Sequence, residues 1–144
     1  PAWSPTGQQI AFVSDRSGTP QLWMMDVDGS NIRRLVDQGG HCDSPSWSPD
    51  GRYLLYSWQA PKRSKHDIFV IEAISGDIVQ LTSNRGSNEN PHWSPDGHHI
   101  AFQSDRSGSK QVFMMNLNGN NLRQLTLYGI NESPSWSSNM SNVR

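Results

Sequence analysis

The sequence holds one cysteine, Cys42, in 144 residues, so no intramolecular disulfide framework is possible, and the redox compartment stays open. Long apolar runs are absent too, with nothing near the roughly 18–20 residues of a membrane helix and no charged-then-apolar leader. Membrane insertion is therefore not expected. Charge of one sign is also lacking: twelve Lys and Arg against thirteen Asp and Glu leave a formal −1. A chain without a basic field is not expected to hold nucleic acid or an anionic membrane surface. Only 33% of the residues are of the AVILMFWYC set, too few for a helical bundle. An initial Met is missing as well, and Pro1 lies directly inside a repeat. The expectation is a processed product, or a piece cut from something longer, whose address label has been removed.

What is present is twelve Gly, nine Pro and six Trp, a composition for short strands, tight turns and aromatic burial. The length suits one domain, burying about two thirds of its unfolded surface. The phrase Trp-Ser-Pro-Asp-Gly occurs at Trp47–Gly51 and Trp93–Gly97, with a variant at Trp3–Gly7 and a degraded copy at Trp136–Met140. Its Trp recurs at spacings of 44, 46 and 43 residues. At an offset of 90, residues 1–40 match residues 91–130 at 21 of 40 positions. Such self-similarity marks a repeat architecture.

Each repeat parses into four short strands. The first is Pro-x-Trp-Ser, where an initial Pro is tolerated because it need not donate. Ser-Pro-Asp-Gly then turns the chain, Pro presetting φ and Gly closing the turn. Second strands are expected at Ile10–Ser14, Tyr53–Ser57 and Ile100–Ser104, and third strands at Gln21–Met25, Asp67–Ile71 and Gln111–Met115. Asp28-Gly29 and Asn118-Gly119 suit hairpins. Fourth strands follow around Ile32–Leu35, Ile78–Thr82 and Leu122–Thr126. The runs LWMM, IFVI, VFMM and LLY are almost continuously apolar, as in strands buried on both faces. A four-stranded unit of about 40–45 residues, covered on both sides by neighbours, is a propeller blade. The expected fold is all-β: a β-propeller with three four-stranded antiparallel blades per chain. Blade one spans residues 1–42, blade two 43–88 and blade three 89–131, with an aborted first strand plus tail at 132–144. A β-sandwich ranks behind it, because it would alternate and would not repeat.

The phrases P-x-W-S-P-D-G, I-A-F-x-S-D-R-x-G and M-D-x-D-G-S-N-x-x-R-L resemble the TolB-type propeller repeat. Tricorn protease and prolyl-oligopeptidase-like peptidases carry similar repeats. The resemblance covers essentially the whole chain. It implies a six-bladed propeller that acts as a non-enzymatic protein-binding or scaffold module in the bacterial cell envelope, hence a periplasmic setting. Its implied partners are other envelope proteins such as a peptidoglycan-associated lipoprotein. It equally admits the non-catalytic, gating propeller of a larger peptidase, or an excised repeat array with no evolved role of its own.

Three blades do not close a ring. The outer faces of an open arc, expected to carry Phe12, Trp23, Phe102 and Phe113, would leave large apolar patches. Two copies around a two-fold axis would complete six blades, so a homodimer is expected. The segment Pro134–Ser137 could enter the first blade of a partner copy or hang loose, and the loose end is preferred because Pro1–Ser4 already fills the innermost place.

The chain has no G-x-S-x-G nucleophile elbow and no other catalytic constellation. The five His read as surface or packing residues, and Asp26–Gly29 as a hairpin turn rather than a calcium loop. Asp15-Arg16 and Asp105-Arg106 read as turn residues, the Asp accepting backbone N–H groups and the Arg packing its stem against a neighbouring blade. The basic stretch Pro61–His66 reads as a solvated loop. One polar pattern recurs with the repeat: Asp43, Glu89 and Glu132 each stand two residues before the Pro of a first strand. In a propeller that position is one mouth of the central channel. No cofactor is expected, apart from a calcium or other cation that these carboxylates could recruit, or else a basic group. The competing account is that the acids cap local N–H groups.

Overall fold

A computed structural model describes residues 1–137; the end of the tail, including Ser138–Met140 of the degraded phrase, lies outside the described residues. The architecture is all-β, three four-stranded antiparallel sheets in the order of the chain. Blade one comprises β1 (Ala2–Trp3), β2 (Gln9–Ser14), β3 (Gln21–Asp26) and β4 (Arg33–Arg34). Blade two comprises β5 (His41–Trp47), β6 (Tyr53–Gln59), β7 (His66–Glu72) and β8 (Ile78–Gln80). Blade three comprises β9 (Asn88–Trp93), β10 (His99–Ser104), β11 (Gln111–Asn116) and β12 (Arg123–Gln124). The turn residues behave as their chemistry requires. Gly7, Gly51 and Gly97 all have φ near +70°, and each donates to the carbonyl of the Ser three residues earlier. Asp26–Gly29 is a hairpin turn, closed by the Gly29 N–H to the Asp26 carbonyl at 2.9 Å.

Two of the expected boundaries move. The first strands begin upstream of the Pro, so β5 opens at His41 and β9 at Asn88, inside the spans assigned to the preceding blades. They can extend because a bulge absorbs the irregularity: Ser44 and Asn90 adopt φ of 52° and 50°, and the pairing register shifts there. Asn131-Glu132-Ser133-Pro134-Ser135-Trp136 repeats the frame Asn88-Glu89-Asn90-Pro91-His92-Trp93, and Ser133 repeats the same conformation at φ 53°. Pro134–Ser137 nevertheless forms no strand with any of the described residues. The segment is not loose as far as Trp136. Asn131 N–H donates to the Lys110 carbonyl, Ser133 N–H to Gln103 Oε1, and the Trp136 indole to the His92 carbonyl.

Blades meet face to face. Ala11, Leu22 and Met24 of blade one pack on Leu54, Tyr56, Phe69 and Ile71 of blade two. Leu55 and Ile68, from the opposite face of blade two, pack on Ile100, Phe102, Phe113 and Met115 of blade three. Blade two is thus buried on both sides, as its unbroken apolar runs require. The terminal faces differ from expectation. Phe102 and Phe113 are interior, 0% and 4% exposed, because side-chain parity sends them towards blade two. Blade three turns the alternate residues outward, Val112 and Met114 among them, while Phe12 and Trp23 do lie on the outer face of blade one.

One interaction repeats at every seam. The indole N–H of Trp47 donates to the Ala2 carbonyl, that of Trp93 to Ser46 and that of Trp136 to His92, at 3.1–3.2 Å. In each case the acceptor immediately precedes the Trp of the previous repeat. Trp47 and Trp93 are each 8% exposed, whereas Trp3 is 59% exposed. Trp93→Phe is expected to cost about 1–2 kcal/mol, since it strands the Ser46 carbonyl, and Trp3→Phe less than about 0.5 kcal/mol. Urea midpoints of the two variants, compared with the parent, measure the difference.

Candidate channel-mouth site

The bulges that lengthen β5 and β9 also place side chains. A residue in the left-handed region just before each Pro bends the strand and brings Ser44, Asn90 and Ser133 into line across the repeats. Ser44 Oγ donates to Asn90 Oδ1 at 2.5 Å, and Asn90 Nδ2 donates to Gln103 Oε1 at 2.9 Å. Gln103 Oε1 also accepts the Ser133 N–H at 2.8 Å. Gln103 is 3% exposed, so this amide is a buried junction with its donors and acceptors satisfied.

Around this junction lies a polar cavity of about 290 Å³ whose walls include Asp43, Glu89 and Glu132. The three carboxylates that the repeat pattern singles out are therefore brought to one place. They do not converge as ligands: among the described residues no three His, Cys, Asp or Glu are grouped to hold a metal ion. Each acid has its own partner instead. Asp43 Oδ1 accepts the Ser44 N–H at 2.7 Å, the local capping role. Glu89 accepts Ser87 Oγ at 2.6 Å and Gln103 Nε2 at 3.0 Å. Glu132 pairs with Lys110 Nζ at 2.7 Å, and the same ammonium stands 3.9 Å from Glu89 Oε2. Lys110 thus supplies a cation between two of the carboxylates, and its hydrogen bond to Glu132 raises its pKa.

His66, from the start of β7, forms another wall. Both ring nitrogens are buried without a hydrogen-bond partner among the described residues, and Nδ1 lies 3.6 Å from Glu89 Oε1. Its ring meets that of His41 edge to face at 5.9 Å. Burial lowers the His66 pKa, with Glu89 opposing the shift. The imidazole is therefore held neutral beside a carboxylate.

Sequence reasoning missed His66, Lys110 and Gln103. His66 stood at the end of a basic loop, and the first and third repeats carried the overlooked signal. Val13 of blade one becomes Gln103 in blade three, and Pro20 becomes Lys110. A polar residue within an apolar strand of a near-copy indicates a local partner. The Asp-Arg turns are structural: Asp105 Oδ1 accepts the Ser87 N–H, and Arg106 lies 5.3 and 4.9 Å from the ring centres of Phe102 and Phe113. The Arg therefore stacks on the rings of its own blade and reaches Asn88 Oδ1 at 2.5 Å. Gly86, with φ 67°, is required beside this turn, because a methyl there would collide with the Asp105 carboxylate and the Arg106 backbone. Cys42 is fully buried, and desolvation pushes its thiol up to about 12.

The family model described as "TolB beta propeller domain" matches residues 1–143. A solved structure of a putative TolB from Agrobacterium tumefaciens superposes with a TM-score of 0.80 at 26% identity, covering 88% of this chain and 45% of that one. An uncharacterized peptidase of Bacillus subtilis, YuxL, is 45% identical over 56 residues, which are 38% of this chain and 8% of the relative. A TolB homolog of Chlorobium chlorochromatii is 40% identical over 51 residues, 35% of this chain and 12% of the relative. The chain thus spans under half of the solved TolB structure, and each match covers a small part of the curated relative.

The lowered pKa of His66 has a definite sign. The unfolded imidazole, near 6.5, binds a proton more readily than the folded one. Stability from the neutral ring is complete above the unfolded value and is lost as pH falls below it. The melting temperature is expected to fall between about pH 7.5 and 5.5, and His66→Gln to flatten part of that decline. Circular dichroism melts across this range check it, and equal slopes in the two proteins would refute it.

Proposed function

The chain belongs to the TolB-type β-propeller family, and from that premise we propose that it is a non-enzymatic protein-binding module working in the bacterial periplasm. The observation that carries this reading is the channel-mouth cavity. It is polar and assembled from blade two, blade three and the segment that follows blade three, and its carboxylates are engaged by Lys110, Gln103 and the Ser44 backbone N–H. Such a surface offers fixed hydrogen-bonding groups to a partner. The proposed partner class, an envelope lipoprotein of the Pal type, is taken from the family resemblance and is supported by a relative of Syntrophotalea carbinolica named Tol-Pal system protein TolB.

A second reading has its own support. The 45% identity to part of a Bacillus subtilis peptidase favours the non-catalytic propeller of a peptidase, controlling entry to an active site elsewhere. The parent reading frame separates the two, since a downstream α/β-hydrolase segment belongs to the peptidase.

Titration of the purified chain with the soluble domain of a Pal-type lipoprotein, read by calorimetry, tests the leading reading. Saturable binding is expected, weakened at least tenfold (about 1.4 kcal/mol) by Lys110→Glu, which reverses the charge that stands between Glu89 and Glu132. No heat from a folded chain, or equal affinity for the variant, would count against this surface.

A further inference from the structure

We propose that the hairpin loop of blade two, residues 61–65, docks an acidic segment of a partner protein against residues 84–86. The inference rests on the protein-binding reading above and names the chemistry of the partner. Blade two packs against a neighbour on each side, so both walls of this surface lie within the described residues.

Comparison of the three hairpins shows what is unusual. β2 and β3 pair as far as Ser14 with Gln21, and β10 and β11 as far as Ser104 with Gln111. Blade two continues past the equivalent pair, Trp58 with Asp67, to Gln59 with His66, which lifts its loop further out. The hairpins of blades one and three turn on Gly18 and Gly108, at φ 107° and 108°. Blade two has no glycine there and places Lys62 in the left-handed region at φ 66°. Gly or Asn adopts that conformation more readily. The loop therefore gives up the easier turn residue and carries Lys62, Arg63 and Lys65, all exposed. Arg85, in the connection between β8 and β9, adds a fourth exposed cation.

These four contrast with cations elsewhere in the chain. Arg34, Arg52 and Lys110 pair with Asp37, Glu72 and Glu132, and Arg16 and Arg106 lie over aromatic rings. Among the described residues, Lys62, Arg63, Lys65 and Arg85 form no ion pair. The nearby acids are already engaged. Asp67 Oδ1 accepts Thr82 Oγ1 at 2.8 Å and Asn88 Nδ2 at 3.1 Å, and Asp105 Oδ1 accepts the Ser87 N–H at 2.7 Å. Burial lowers the Arg106 pKa, and repulsion from Arg85 lowers it further. A docked carboxylate relieves that repulsion.

The cations border a shaped recess. A pocket of about 370 Å³ lies between residues 62–65 on one side and Asn84 and Gly86 on the other. Both walls are held in place. Arg63 N–H donates to the Ala60 carbonyl at 3.0 Å, and the Gln59 amide to the Arg63 carbonyl at 2.7 Å. His66 N–H donates to Ser87 Oγ at 3.1 Å, which ties the hairpin to the opposite wall. An ordered backbone lowers the entropy lost when a partner docks. An acidic peptide fits better than a nucleic acid, because the described residues put no aromatic ring in the pocket wall to stack a base. His66, the next residue after the loop, already borders the cavity of Asp43, Glu89 and Glu132. Those carboxylates repel a long polyanion, whereas a short run of Asp or Glu ends before reaching them.

Fluorescence anisotropy of a labelled oligoglutamate peptide, titrated with the whole chain, tests this. Saturable binding is expected at low salt, weakening about tenfold as NaCl rises from about 0.05 to about 0.3 M. Backbone amide shifts should gather at residues 60–67 and 84–87. Combined reversal by Lys62→Glu, Arg63→Glu and Lys65→Glu should abolish binding and leave the circular dichroism spectrum unchanged, since all three side chains are exposed. Arg85→Glu, on the opposite wall, should weaken binding about tenfold and keeps the test open if the triple variant misfolds. No binding by the folded chain, equal affinity in the variants, or tighter binding of oligothymidylate than of the peptide would overturn the proposal. Should the Pal-type domain bind in a Lys110-dependent way while the peptide does not, this inference falls and the protein-binding reading stands. Peptide binding without Pal-type binding supports the loop and counts against that lipoprotein as the partner.

Discussion

Every blade of this protein depends on its neighbours to cover its two apolar faces. A four-stranded sheet of this size cannot shield Leu54 and Tyr56 on one side and Leu55 and Ile68 on the other by itself; stacking does it. At each seam between blades the Trp of the following first strand, Trp47 or Trp93, is buried. It fills the seam with its ring and returns one N–H to the strand behind it. Burial provides the larger energy, and the directional bond keeps successive blades in register.

The polar site is a by-product of the same geometry. Because first strands converge, the residues leading into them are brought close together, and the left-handed turn before each Pro aims them across the seam. Ser44, Asn90 and Ser133 thereby form a line, and Gln103 ties its last two members together. The carboxylates beside them would repel one another if left bare. Lys110 and hydrogen-bond donors engage them instead, so the cavity wall carries paired polar groups.

Much of the fold was legible in the residues. Turn chemistry, the spacing of Trp and the unbroken apolar runs lead to four-stranded blades, and the second and third strands lie where those signals put them, while β5 and β9 begin further upstream. The acids at Asp43, Glu89 and Glu132 were legible as a group for the same reason: a periodic residue in a periodic fold returns to an equivalent place. His66, Lys110 and Gln103 were not, since each occurs once and its meaning depends on what faces it. The outer faces were misread at Phe102 and Phe113 because a doubly apolar strand carries no mark of which side meets which neighbour.

By itself, then, the sequence determined the repeat, the class of fold and the position of the acids within each repeat. Short-range rules suffice for these: period, turn preference and apolar run length. Only the tertiary structure decided the direction in which each face points, the distances that pair Lys110 with Glu132, and the burial that keeps His66 neutral. These depend on contacts between residues 20 to 50 positions apart, which no local pattern encodes. The degraded phrase at Trp136 shows both halves. Its letters announce a first strand, but only the tertiary structure shows it seated on blade three through the indole bond to the His92 carbonyl.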